Sequence, residues 1–204
     1  MKTIVVSTQK GGAGKTTLCA NLGVLASRCA ETYIIDTDPQ ATLSKWHKRR
    51  EDETLKRADM PFRQIPAALK VLEREGAGFV FLDTPPTAAG SNAELFRLAD
   101  LVLIPVKPSP LDVEATVPTI EAAKAARRPF MFVINSVKPN VALTAQTVAT
   151  LSAFGTVLDV FVADRTAYAA AMVDGRAGVE LMPKGPPAKE MGALWARIQD
   201  RLQA

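Results

Sequence analysis

Residues 9–17 read Gln9-Lys10-Gly11-Gly12-Ala13-Gly14-Lys15-Thr16-Thr17 (QKGGAGKTT), set between a short β-branched run over Thr3–Ser7 and a long helical pattern. Three glycines in so short a stretch free the backbone to point successive N–H groups inward. The N-terminus of the helix that follows adds its dipole. Together they make a cradle for phosphate. Lys15 can reach the β- and γ-phosphates of a nucleotide, and the Thr16 hydroxyl can bind Mg²⁺. The general pattern for such loops wants glycine where this chain has Gln9. The variant that begins Lys-Gly-Gly is satisfied at every position from Lys10 to Thr17. It carries a second lysine, Lys10, at the front of the loop, although one lysine is enough to hold a phosphate.

Outward from the loop, short Val/Ile/Leu/Phe runs alternate with helix-like segments. The strand candidates are Thr3–Ser7, Thr32–Asp36, Phe79–Asp83, Leu101–Val106, Phe130–Asn135 and Val157–Val162. Helices are expected near 15–29, 40–57, 66–75, 91–99, 111–127, 142–154, 165–174 and 188–203. The strand runs are apolar throughout rather than alternating, as parallel strands covered on both faces are. The alternation predicts a doubly wound α/β fold, a mainly parallel sheet with helices on both faces. The 204 residues, 48% of them hydrophobic, suit a single domain over 1–204 with a sizeable core. Proline-rich patches at 84–86, 105–110 and 183–187 read as loops, and no internal repeat or linker is visible.

Ligands of such folds sit beyond the carboxyl ends of the strands, so the residues after each strand matter most. The second strand is followed by Asp36-Thr37-Asp38-Pro39-Gln40. Two readings stand: carboxylates serving a metal-bound water, or an Asp-Pro turn leading into a helix cap. The phosphate loop beside it weights the first. The third strand ends in Asp83, before Thr84-Pro85-Pro86. A carboxylate there can hold the water shell of a nucleotide's Mg²⁺. Asn135, at another strand end, is either a turn former or a contact to a base.

These motifs, in this order, resemble the ParA/MinD superfamily of P-loop ATPases with the deviant Walker A motif. The resemblance runs over essentially the whole chain. Ile104-Pro105-Val106-Lys107-Pro108-Ser109-Pro110-Leu111-Asp112 is similar to the proline-rich segment of short plasmid-type ParA partition ATPases. Arg165-Thr166-Ala167-Tyr168, followed by Asp174-Gly175 and Glu180, is similar to their C-terminal signature. The resemblance implies ATP and Mg²⁺ as cofactors, held by Gly11, Gly12, Ala13, Gly14, Lys15, Thr16 and Thr17, with Asn135 a candidate for the adenine. It implies Thr16, Asp38 and Asp83 around the metal, with Asp36 in support. Lys10, Lys15 and Asp38 form the implied catalytic set, Asp38 positioning the attacking water. Lys10 would cross the interface of an ATP-bound sandwich homodimer to the partner's phosphates. A cation placed there stabilises charge that builds as the γ-phosphate leaves.

The implied activity is ATP hydrolysis in plasmid or chromosome partition. The implied partners are non-specific DNA and a small DNA-binding ParB/ParG-like adaptor, and the implied location is cytoplasmic and nucleoid-associated. A MinD-like or other cargo-positioning ATPase and a conjugative-transfer ATPase are the alternatives, ahead of a dethiobiotin synthetase-like enzyme. A nitrogenase-reductase-like enzyme is not expected: its iron–sulfur cluster needs cysteines outside the first helix, and Cys19 and Cys29 both fall in the first helical pattern. They read as reduced packing thiols.

The net charge of +4 is compatible with a polyanionic partner without demanding one. Lys45, Lys48, Arg49, Arg50, Lys56 and Arg57, interrupted by Glu51, Asp52 and Glu53, read as a solvated helix face. His47 reads as an exposed helix residue, and Trp46 and Trp195 as packing anchors. In the last helix Leu194, Trp195, Ile198 and Leu202 share one side and basic residues are sparse, so it is expected to dock on the sheet rather than lie in a membrane. No apolar stretch is long enough to span a bilayer. No signal peptide is visible, and the chain enters its first strand directly. A cytoplasmic location is expected, without operator-specific repression by an N-terminal helix-turn-helix.

Overall fold

The structure, a computed structural model, describes residues 1–86, 89–139 and 141–203, with side chains for all of these except 89–92 and 141. Among the described residues seven strands form one sheet: β1 (Lys2–Val6), β2 (Thr32–Asp36), β3 (Leu55–Arg57), β4 (Phe79–Asp83), β5 (Leu101–Val106), β6 (Phe130–Ile134) and β7 (Thr156–Val157). Their order is β3-β2-β4-β1-β5-β6-β7, and every pairing is parallel. The doubly wound parallel fold expected from the sequence is therefore the fold observed. β1 lies in the middle, hydrogen-bonded to β4 on one side and β5 on the other. The loop after it opens at the centre of the sheet's carboxyl edge, where the strand order switches direction.

Alternate residues of the buried strands feed two cores. Ile4, Val6, Phe81 and Leu103 face one side, against Leu18 and Leu22 of α1 (Lys15–Ser27) and Leu194, Trp195 and Ile198 of α10 (Pro186–Gln203). Val5, Leu82, Val102 and Phe132 face the other, against Leu69 of α3 (Ile65–Arg74), Phe96 of α4 (Ala89–Leu98), Ile120 of α6 (Val117–Ala125) and Leu151 of α7 (Val141–Ser152). The last helix docks on the sheet as expected: the Trp195 ring lies 5.0 Å from Phe79 and 5.9 Å from Phe81. Among the described residues no helix is long and apolar enough to cross a membrane.

Four expected elements differ. The helix expected over 40–57 stops early, as α2 (Thr42–His47), and the chain returns to the sheet as β3. Asp52 accepts the Thr54 N–H at 2.8 Å and turns the chain, and buried Leu55 then pairs with Thr32. The helix expected over 111–127 is two, α5 (Pro110–Glu114) and α6, because Pro118 cannot donate a backbone hydrogen bond across the junction. The strand expected over 157–162 pairs only through Thr156–Val157. The chain bows out and rejoins β6 where the Val162 N–H donates to Ile134. α8 (Thr166–Ala171) is shorter than expected, and α9 (Gly178–Leu181) was not expected at all.

The basic run does not form one solvated face. Arg50 is buried and gives a bidentate bond to Glu180 at 2.8 and 2.9 Å, while Lys56 and Arg57 belong to β3. Trp46 is a packing anchor, its indole N–H donating to the Arg176 carbonyl. His47 is half-buried, with Nε2 against the Leu55 carbonyl at 2.7 Å. Cys19 is a buried thiol, whereas Cys29 lies beyond the end of α1 and is exposed.

Candidate functional site

The loop leaves β1 through Ser7 and Thr8 and enters α1 at Gly14. Gly14 caps the helix in the left-handed region, at φ 94°, a conformation that glycine adopts freely. A Cβ there would collide with Nδ2 of Asn135. That amide, buried at the end of β6, donates to the Ala13 carbonyl at 2.7 Å. Asn135, a candidate for the adenine from the sequence, thus has its amide nitrogen on the phosphate loop.

Lys15 is buried, and its ammonium curls back onto its own loop, donating to the carbonyls of Thr8 at 3.2 Å and Lys10 at 3.4 Å. Burial lowers its pKa, against the opposing pull of Asp83 and Asp38. Lys10 is exposed, in contrast with Lys15. Gly11 and Gly12 are exposed beside it, with Gly12 also at positive φ. Thr17, in the first turn of α1, is partly exposed.

Three carboxylates face the loop from β2 and β4. Asp83 ends β4 at 1% exposure. Its Oδ2 accepts the Thr16 hydroxyl at 2.6 Å, and its Oδ1 has no partner. Burial pushes its pKa up to about 7, with the Thr16 bond acting in the opposite sense and the negative charge of Asp36 adding to the rise. Asp36 spends both oxygens on backbone: the Asp38 N–H at 3.0 Å and the Ser44 N–H at 2.8 Å. It builds the turn that presents Asp38 and caps the start of α2. Asp38 accepts the Gln40 N–H at 2.9 Å through Oδ1 and is partly exposed. The turn-and-cap reading of Asp36-Thr37-Asp38 is realised by Asp36, which leaves Asp38 as the candidate for the metal-bound water.

The C-terminal signature residues make their contacts with α10 and with Arg50. Arg165 Nε donates to Glu190 at 2.9 Å and the Tyr168 hydroxyl to the same carboxylate at 3.0 Å. Glu180 holds Arg50 and the Ala177 N–H. Asn21 of α1 accepts the Val179 N–H, tying this segment to the helix that begins at the loop. Neither the Asn135–Ala13 bond nor the Asn21–Val179 bond was legible in sequence, since each joins residues more than a hundred positions apart.

The site's residues fit a Mg²⁺-nucleotide. The loop has a glycine where only hydrogen has room, and Asp83 holds an unpartnered buried oxygen beside the Thr16 hydroxyl. Mg²⁺ characteristically takes one or two protein oxygens and completes its shell with water and phosphate. A parallel α/β sheet whose first strand runs into such a loop, with a strand-end aspartate beside it, defines the P-loop class of nucleotide-binding proteins.

The comparison with protein families agrees. Residues 4–178 match the family described as "CobQ/CobB/MinD/ParA nucleotide binding domain", and the chain belongs to that family. It is 31% identical over 201 residues to the "Maintenance of carboxysome distribution protein A" of Halothiobacillus neapolitanus, covering 92% of this chain and 91% of that protein. It is 35% identical over 159 residues to the "Probable plasmid-partitioning protein ParA" of Thermus thermophilus, covering 59% of this chain and 49% of that protein. Among solved structures, the fold is similar to the septum site-determining protein MinD of Pyrococcus horikoshii complexed with Mg-ADP, at a TM-score of 0.81 and 16% identity over 97% of this chain and 95% of that one. It is similar also to an ATP complex of Cyanothece McdA, at 0.80 and 17% over 100% and 96%.

Proposed function

We propose that this protein is an ATP-driven positioning switch that segregates plasmid or chromosomal DNA. The division of labour between its two loop lysines carries the reading. Lys15 is folded into its own loop, and Lys10 stands exposed at the front, free to serve a second subunit. ATP and Mg²⁺ are the cofactors. Bound ATP supplies the phosphoanhydride to be cleaved, and Mg²⁺ supplies charge neutralisation on its phosphates. The chain's own groups do the rest. The loop N–H groups and Lys15 bind and orient the phosphates. Thr16 and Asp83 hold the metal side. Asp38, placed by the Asp36 turn, orients the attacking water. Lys10 from the facing subunit stabilises the charge of the departing γ-phosphate. ATP occupancy and homodimerisation then become one event. The dimer gathers basic residues into a surface for DNA of any sequence, and a small ParB/ParG-like adaptor stimulates hydrolysis and release.

A second reading, positioning of a protein cargo by the same cycle, is favoured by one observation: the Halothiobacillus relative matches across 92% of the chain.

ATP turnover with and without unrelated DNA duplexes, and with a candidate adaptor protein, tests both. Turnover raised by duplex and adaptor together, with DNA binding that needs ATP and weakens steeply with salt, supports the switch. DNA binding without nucleotide, or to one sequence only, would refute it. Stimulation by an adaptor that itself binds no DNA would move the assignment to a protein cargo. Asp38→Ala should bind ATP and dimerise while hydrolysing very slowly.

A further inference from the structure

We propose that Lys107 is a third phosphate-binding cation, which closes the cradle on the flank opposite the metal. The inference rests on the loop holding a nucleoside triphosphate.

Lys107 directly follows β5, the neighbour of β1 on the side away from β4. Its Nζ lies 4.0 Å from the position a Cβ would take on Gly12, and outside Gly11–Ala13 no other described heavy atom comes as near to that position. The side chain is partly buried, yet among the described residues it forms no ion pair. A lysine with no ion-pair partner beside a loop of backbone N–H groups is placed to take an anion held in that loop.

The sheet order explains what this cation adds. Asp36 and Asp83 end β2 and β4 and Asp38 follows β2, so all three lie on one side of β1. Lys107 and Asn135 follow β5 and β6, on the other side. A phosphate chain in the loop is then flanked by carboxylates with their metal on one side and by an ammonium and an amide on the other. Lys107 approaches Gly12, at the front of the loop, rather than the helix end at Gly14, Lys15 and Thr16. Lys15 reaches the β- and γ-phosphates from the helix end, and Lys107 would take the terminal phosphate from the Gly12 side. Lys107 therefore discriminates triphosphate from diphosphate.

The test is calorimetric binding of a non-hydrolysable ATP analogue and of ADP, with thermal melting as the check on folding. Lys107→Gln should weaken the ATP analogue by about tenfold, as expected for loss of one half-exposed charge-assisted contact, and ADP by much less. Lys107→Arg should restore most of the affinity for the analogue. The apo melting temperature of Lys107→Gln should stay near that of wild type. Unchanged affinity for both nucleotides, or equal losses for both, would overturn the role of Lys107 while leaving the phosphate loop standing, provided that Lys15→Ala abolishes binding in the same assay. Failure of the wild-type protein to bind either nucleotide would overturn both.

Discussion

The Thr16 hydroxyl donates to Oδ2 of Asp83 at 2.6 Å, and the other oxygen of that buried carboxylate is left without a partner. The site therefore holds a carboxyl group whose charged form is poorly solvated until a cation arrives.

Stability should report this. Asp83 titrates near 3.8 in a free chain and about 7 in the fold. Between those values the native state keeps a proton that the unfolded chain has lost. The contribution of Asp83 to stability is thus fullest at low pH, falls as pH rises through that window, and levels off above about 7. Asp83→Asn should flatten the slope. In metal-free buffer at about pH 8 it should be more stable than wild type by roughly 1–3 kcal/mol, the cost of an unsatisfied buried group. Melting curves across pH check this. Mg²⁺ with nucleotide should raise the melting temperature of wild type and leave that of the variant nearly unmoved.

Lys15 and Lys10 should fail in different assays. Lys15→Ala should lose nucleotide binding but melt no lower than wild type in the apo state, since its removal also relieves a desolvated cation. Lys10→Ala should bind nucleotide nearly as wild type and lose dimerisation. A charge-assisted contact is worth about 1.5–3 kcal/mol, and a symmetric dimer loses two of them. Sedimentation with a non-hydrolysable ATP analogue reads the difference. A Lys10→Ala protein that still dimerised normally would place Lys10 in its own subunit.

Asn135 should act through the loop. If its bond to Ala13 is what matters, Asn135→Ala should weaken ATP and GTP by a similar factor, because the phosphate cradle is common to both. A contact to the base would instead weaken ATP selectively. Titrating both nucleotides into the same variant separates these outcomes.

Ala41 sits in the left-handed region at φ 52°, where the turn after Asp38 enters α2. That conformation costs an L-residue roughly 1–2 kcal/mol, more than the roughly 0.5–1 kcal/mol of chain entropy that glycine brings. Ala41→Gly should raise the melting temperature by about 1–3 °C for a domain of this size.

The parts of this molecule legible in sequence share a physical cause. QKGGAGKTT could be read because a glycine loop between strand and helix is a local device, whose residues act on their immediate neighbours. The buried strands could be read because being covered on both faces leaves an unbroken apolar run. Residues 48–57 misled for the opposite reason. Lys, Arg and Glu are good helix formers, but Arg50 answers to Glu180, 130 residues away, and Leu55 to the edge of β2. Asn135 was visible as a strand-end residue, and its contact was not, since nothing near it in the chain points to Ala13. Lys107 stood inside a segment quoted for its prolines, and its approach to Gly12 depends on β5 lying beside β1.

The central place of β1 sets a timetable for synthesis. β1 is made before its neighbours in the sheet, residues 79–83 and 101–106, and the Asn135 amide that locks its loop comes later still. A nascent chain shorter than this carries an apolar segment with both edges open, the kind of segment that pairs with strangers. Nucleotide cannot rescue it, because the cradle is not assembled until Asn135 has been made. ATP therefore offers β1 no protection over the stretch of translation that separates it from residues 79–83, 101–106 and 135.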